Sequence, residues 1–436
     1  MCKINVSEMN EILNRNNSLF LCGNGFSMNF DSNFGNIFDR LYEAHKILIH
    51  NGKYKVEKHT NMYFKKKCLD NYKNVLQYIK YFSENELKNI FKDGYKFAKS
   101  IIENKIILTE LKENDLISEL TFGRSQLNLL YEIINIRSEK DINKINIEYW
   151  TILIYFYFAI KGLNSNNYKF PSNNSFLLVV ELGDINKTTF MEDKKIKSII
   201  QESTLFNGFN TYYRLLFCTA IFSNGKGIEL NQLNKLEELS IEKIAGFLNK
   251  YNSIMTLNYD NILDNILPNK IVSHLHGKFV SREEYVHGQS LGLQYNNANK
   301  YVSFSDILIG DYFYNKTQRE VVNHLATNNY RNKRPEYISN IIRNEIRNNS
   351  INTIVIFGMN IQNDQHIIRN IMLELFFAKI QNPQIIYCYY YYEEAEEFYK
   401  EFYKVITFSD EATEYAKNIK VRYIDTHEIL ESYFLK

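Results

Sequence analysis

Strand signals in this chain are split by a long interval. One short apolar run, Ser18-Leu-Phe-Leu-Cys22, stands near the amino terminus and leads into Gly23-Asn24-Gly25-Phe26-Ser27. The other such runs come only after residue 250: Ser253–Leu257, Ile271–Leu275, Thr353–Phe357, Gln384–Tyr391 and Val421–Ile424. A buried strand must pair its backbone groups, so the first run needs the late ones as neighbours. Helical periodicity fills the later intervals, over Asn261–Leu267, Pro335–Asn348, Asp364–Ile380 and Tyr392–Val405. Strands alternating with helices predict a parallel α/β sheet.

The interval itself reads as helix after helix. Ile37–Ile49, Asn74–Phe82, Glu84–Asn104, Asn114–Arg137, Asn210–Ser223 and Leu230–Tyr251 place apolar residues three and four apart. Ile147–Leu163 is apolar nearly all round and reads as a buried helix, whereas Phe176–Leu182 fits a strand or a helix. The expected organisation is one α/β domain from residues 1–36 plus 251–436, carrying a large helical insertion over 37–250. Asn164–Asn174 and Gln289–Asn299 read as loops, and Tyr389–Tyr392 as strand core.

Composition narrows the function classes. Hydrophobic residues at 45% and charged residues at 23% sustain a large core and exclude wholesale disorder. Lys+Arg 52 against Asp+Glu 50 leaves +2, which predicts neither a nucleic-acid nor a membrane partner. Five cysteines stand far apart with no CxxC pair, so neither a zinc ribbon nor a disulfide framework, and no metal site, is expected. The first residues lack a signal-peptide core, and Tyr149–Ile160 is too short to span a bilayer, which needs about 20 residues. The expectation is a cytoplasmic protein. Abundant Asn and Tyr fit the bias of A+T-rich codons.

Chemistry concentrates where strands end. In a parallel sheet the carboxyl ends of the strands line the ligand crevice. Gly23 and Gly25 suit close backbone approach to a phosphate, or simply a tight turn. Asn258 and Asp260, in Thr256-Leu-Asn-Tyr-Asp260, are suited to one crevice and also to capping the next helix. His276, before Gly277, is a general-base candidate or a structural histidine. His274 would share its face, and His287-Gly288 repeats the dipeptide in a more polar segment. Gly358-Met-Asn360 follows another strand; Asp364 suits a helix cap, and His366 a packing or surface position.

These four motifs in this order resemble the sirtuin-like NAD-binding family. GNGFS is similar to its Gly-Ala-Gly-x-Ser, TLNYD to Thr-Gln-Asn-x-Asp, LHG to its catalytic His-Gly, and IFGMN to its Gly-Thr-Ser strand end. The resemblance covers residues 18–30, 253–278 and 353–370. It implies a Rossmann-like sheet with NAD+ as substrate. Paired cysteines for a zinc module and the Pro-Asp-Phe-Arg element are missing, and Gly-Thr-Ser has become Gly-Met-Asn. The chain therefore looks like the divergent bacterial branch whose members hydrolyse NAD+ in antiphage defence. On that likeness Asn258 would orient the ribose and attacking water, His276 would accept a proton, and Asp260 would position the nicotinamide side or Asn258. Amides around Gly23, Asn24, Gly25, Phe26 and Ser27 would hold the pyrophosphate. Gly358, Asn360 and Asp364 would border the adenosine ribose. The resemblance also implies a homo-oligomer, with a partner such as a hexameric ATPase or a phage-derived trigger. Competing readings are a non-catalytic NAD or ADP-ribose-binding module, a residual deacylase or ADP-ribosyltransferase, and an assembly protein with a vestigial site.

Overall fold

The structure, a computed structural model, describes residues 1–31, 38–50, 56–58, 62–117, 125–136, 139–145, 147–185, 196–222, 233–258, 260–275, 283–287, 290–294, 301–303, 338–406 and 409–436. Eleven strands are described: β1 (Cys2–Lys3), β2 (Ser18–Cys22), β3 (Val56–Lys58), β4 (Ser253–Thr256), β5 (Val272–His274), β6 (Glu283–His287), β7 (Ser290–Gln294), β8 (Tyr301–Ser303), β9 (Thr353–Phe357), β10 (Gln384–Tyr389) and β11 (Lys420–Asp425). Seven form one sheet in the order β1-β11-β10-β9-β2-β4-β5. Every pairing in it is parallel, so the expected α/β sheet is present.

The central strands are apolar on both sides because helices cover both faces. SLFLC in β2, SIMT in β4 and TIVIF in β9 are buried throughout. Alternate residues serve opposite faces. Leu19, Leu21, Ile354 and Ile356 meet helices Ile338–Asn348, Gln365–Phe377 and Tyr392–Ile406. Phe20, Cys22, Val355 and Phe357 meet helices Val6–Arg15, Ile241–Leu248 and Thr426–Tyr433.

Register brings the chemistry-bearing turns into line. Cys22 pairs with Thr256 on one side and Phe357 on the other, and Thr256 pairs with His274. Gly23, Leu257 and Gly358 therefore leave the same edge of the sheet. The chain passes from β2 outward to β4 and β5, then returns to β9 on the other side of β2. That reversal makes the carboxyl ends of β2 and β9 a topological switch point, where open α/β sheets place ligands.

The interval between β2 and β4 is largely helical and has its own core from Phe38 to Ala220, in which Trp150, Phe156 and Tyr213 are among the large side chains buried. Ile147–Thr151 is a 3-10 turn and Ile152–Leu163 an α-helix, buried over Ile152–Ile160. Ser175–Leu182 settles as a helix, begun by the Asn174 side chain accepting from the Leu177 amide. The insertion ends earlier than its periodicity suggests. Helix Ile241–Leu248 packs through Ile244, Phe247 and Leu248 onto the sheet core instead.

Three local expectations change. Ser290–Gln294 lies within the segment read as a loop, yet is a strand of a second sheet, β3-β6-β7-β8, in which Val286 pairs with Leu291. Asn114–Arg137 shortens to helix Gln126–Ile134 among the described residues. Tyr389 is buried, but Tyr390, Tyr391 and Tyr392 are exposed, because β10 stops at Tyr389 and the chain leaves the sheet there.

Candidate active site at the carboxyl ends of the strands

The turns after β2 and β9 are locked together by backbone. The Gly23 amide donates to the Phe357 carbonyl at 3.0 Å, and the Gly25 amide to the Gly358 carbonyl at 2.9 Å. A Cβ on Gly25 would lie 2.7 Å from Gly358 Cα, and Gly358 holds φ +59°. Only glycine fits such an approach at a left-handed residue. The Phe26 amide donates back to the Gly23 carbonyl at 3.0 Å, so the amides of Gly23, Gly25 and Phe26 are already engaged. The Phe26 ring packs into the core against Phe20, Phe30 and Phe357. Asn24 is the exposed residue of this turn.

A buried polar chain joins the β2 and β4 turns. Ser27, Asn258 and Asp260 are 0%, 8% and 3% exposed, so their polar atoms must find partners within the protein. Ser27 Oγ donates to Asp260 Oδ2 at 2.6 Å. It accepts from Asn258 Nδ2 at 2.8 Å, and the same amide nitrogen donates to the Gly23 carbonyl at 2.9 Å. Asp260 Oδ1 accepts from the Ile262 amide at 3.1 Å, which settles the start of helix Ile262–Ile266. Asp260 therefore both assists the helix start and anchors the chain.

This polarity fixes the Asn258 amide. Gly23 contributes a carbonyl, which only accepts, and the Ser27 hydrogen is taken by Asp260. The atom facing both must be nitrogen. Asn258 Oδ1 is thereby left without a hydrogen bond among the described residues. Burial pushes the Asp260 carboxyl above the usual carboxylate range; the Ser27 hydroxyl, the Ile262 amide and His274 work against that shift.

Other groups complete the rim. Cys22 lies under the turn with its thiol 3.4 Å from Thr256 Oγ1, and burial holds that thiol far above its ordinary value. A thiol so protonated is no nucleophile. On the β9 side Asn360 is exposed and accepts from the Gln362 amide at 2.8 Å. Asp364 occupies the N-cap of helix Gln365–Phe377 without a side-chain capping bond. His276 and Gly277 lie outside the described residues, as do Tyr259 and Gly288; for His287 only the backbone is described.

The sequence singled out His274 but not its contacts, and it did not point to Asp264, Arg40 or Tyr149 as partners near the site. His274 Nδ1 stands 3.0 Å from the Asn258 carbonyl, and its Nε2 2.8 Å from Asp264 Oδ2. Arg40 grips Asp31 through two 2.7 Å bonds, both residues being buried. Tyr149, from the insertion, donates to Asn363 Oδ1 at 3.2 Å in the loop after β9. Their signal is tertiary: each pair is distant in sequence or depends on a helix angle.

Among the described residues no group of histidine, cysteine and carboxylate side chains has metal-holding geometry, and no helix is long and apolar enough to cross a membrane. No family model, curated protein or solved structure matches the chain.

Proposed function

We propose that this chain is an NAD+ hydrolase, cleaving the nicotinamide–ribose bond to nicotinamide and ADP-ribose. The observation that carries the reading is the Ser27–Asn258–Asp260 chain, which fixes the Asn258 amide beyond the carboxyl end of β4, against the β2 turn, and leaves its oxygen Oδ1 without a hydrogen bond among the described residues. Cleavage builds positive charge at the anomeric carbon. A preorganised oxygen dipole stabilises such charge without reorganising, and it accepts a hydrogen bond from a ribose hydroxyl or the attacking water. The water oxygen bonds to the anomeric carbon as the carbon–nitrogen bond breaks. Nicotinamide leaves neutral, and the water proton passes to His276, a transfer of the type that contributes about 10²–10⁴-fold.

The remaining assignments extend this reading. Asn24 and the turn around it meet the pyrophosphate, and Asn360, with Gly358 and Asp364 nearby, meets the adenosine ribose. The Tyr149–Asn363 bond supports a regulatory insertion, since it joins that layer to the loop bearing Asn360. By its resemblance the chain acts in the cytoplasm as a homo-oligomer that depletes NAD+ during antiphage defence, with a partner ATPase or phage trigger.

One observation favours a second reading, a non-catalytic NAD or ADP-ribose-binding module. The Asn258 amide nitrogen and three amides of the Gly23–Phe26 turn are spent on internal bonds. Resolving the products of NAD+ incubated with purified protein separates the two. Nicotinamide release, lost in His276→Ala, supports the hydrolase. Calorimetric binding of NAD+ or ADP-ribose with no product supports the module.

A further inference from the structure

We propose that His274, held by Asp264, is a positioning residue that sets the Asn258 oxygen in place; this rests on the hydrolase reading above. Asn258 lies just beyond β4, where ladder bonding stops. Its amide nitrogen in the main chain donates to Thr256 Oγ1 at 3.1 Å, and its side chain is tied to Gly23 and Ser27. The one main-chain group of this residue left to hold is its carbonyl, and His274 Nδ1 meets it at 3.0 Å. A backbone carbonyl only accepts, so Nδ1 carries the hydrogen.

The ring is in turn fixed from its other side. Nε2 stands 2.8 Å from Asp264 Oδ2, and the His274 side chain is 6% exposed. Asp264 sits in helix Ile262–Ile266, whose start Asp260 sets through the Ile262 amide. The contacts therefore close a ring: Asn258 to Ser27, Ser27 to Asp260, Asp260 to the helix, Asp264 to His274, and His274 back to Asn258. Each member restrains the next. The side chain is pinned by one strand's turn and the carbonyl by another strand's histidine, so Asn258 is restrained at both its side chain and its main chain. A displacement of about 1 Å at a reacting centre costs on the order of 10²-fold in rate.

Three variants test this: His274→Ala, His274→Asn and Asp264→Ala. The asparagine amide reproduces the Nδ1 donor to the Asn258 carbonyl but not the Asp264 contact. For NAD+ hydrolysis, His274→Ala should lower kcat by about 10²-fold with little change in KM, and His274→Asn should recover most of it. Asp264→Ala should fall between them. Unchanged kcat in His274→Ala, or equal losses in the Ala and Asn variants, would overturn the assignment. Absence of turnover in the wild-type protein would instead remove the hydrolase reading alone. Amide hydrogen exchange at Asn258 and Ile262 then decides: faster exchange in His274→Ala with protection restored in His274→Asn upholds the positioning role, and unchanged exchange overturns it.

Discussion

The Asn258 side-chain amide donates 2.8 Å to the Ser27 hydroxyl across the gap between the β4 and β2 turns, and that hydroxyl passes its own hydrogen to Asp260 at 2.6 Å. A serine from the first motif thus sets the orientation of an asparagine from the second. Ser27 is wholly buried, so its side chain contacts Asn258 and Asp260 and is closed off from solvent.

Ser27→Ala removes a donor from a buried carboxylate and an acceptor from a buried amide. An unsatisfied buried group costs about 1–3 kcal/mol. The variant should lose about that much stability in denaturant titration, and its NAD+ turnover should fall well beyond any change in folded fraction. Full turnover in Ser27→Ala would mean that Asn258 is held without it.

Gly25→Ala and Gly358→Ala should both be destabilised, by about 1–3 kcal/mol. The first places a methyl 2.7 Å from Gly358 Cα, and the second adds a side chain at φ +59°. Gly246→Ala is the control. It is exposed within helix Ile241–Leu248 and its Cβ would meet nothing within 4 Å, so it should gain about 0.4–1 kcal/mol. Thermal melts of the three variants check the contrast.

Stability should carry a signature of Asp260. Its folded-state value is raised, chiefly by burial. The folded protein then holds that proton more tightly than the unfolded chain. The contribution is fully present below the unfolded value and is lost as pH rises through the folded one. Asp260→Asn removes the group. The stability of the wild type relative to this variant should therefore fall as pH rises from acid toward neutral. A flat or rising difference in denaturant titrations across that window would contradict the burial argument.

Asn207 tests a different layer. Its side chain donates to the Val180 carbonyl at 2.9 Å and accepts from the Phe209 amide at 2.9 Å, inside the core of the insertion. Asn207→Ala leaves both backbone groups buried and unpaired, for a loss of about 2–4 kcal/mol. It should lower the melting temperature while leaving kcat unchanged at a temperature where the variant is folded.

That residue also marks where sequence reading stops. Abundant asparagine fits codon bias, yet Asn71, Asn207 and Asn210 are fully buried and bond the backbone ends of helices in the insertion. Composition carries no trace of which asparagines do so. Strands β2 and β9 were legible to the residue because both faces are buried and the runs are uniformly apolar. The two-residue edge strand Cys2–Lys3 is exposed and carries no such pattern. Helix Ile241–Leu248 was legible as a helix but not in its allegiance, since periodicity identifies an apolar face and not the surface that covers it.

The site divides in the same way. Asn258 and Asp260 stood out because they follow a strand directly. Ser27 was legible only as part of a turn, because its hydrogen bonds depend on the register between β2 and β4. Asp264 was not legible, because its meeting with His274 depends on how a short helix lies against β5.

The most direct test of the central claim is NAD+ turnover by the wild-type protein beside Asn258→Ala, with folding checked by circular dichroism. The account predicts nicotinamide and ADP-ribose from the wild type and a loss of at least about 10²-fold in the folded variant. Equal turnover in the two proteins would contradict it.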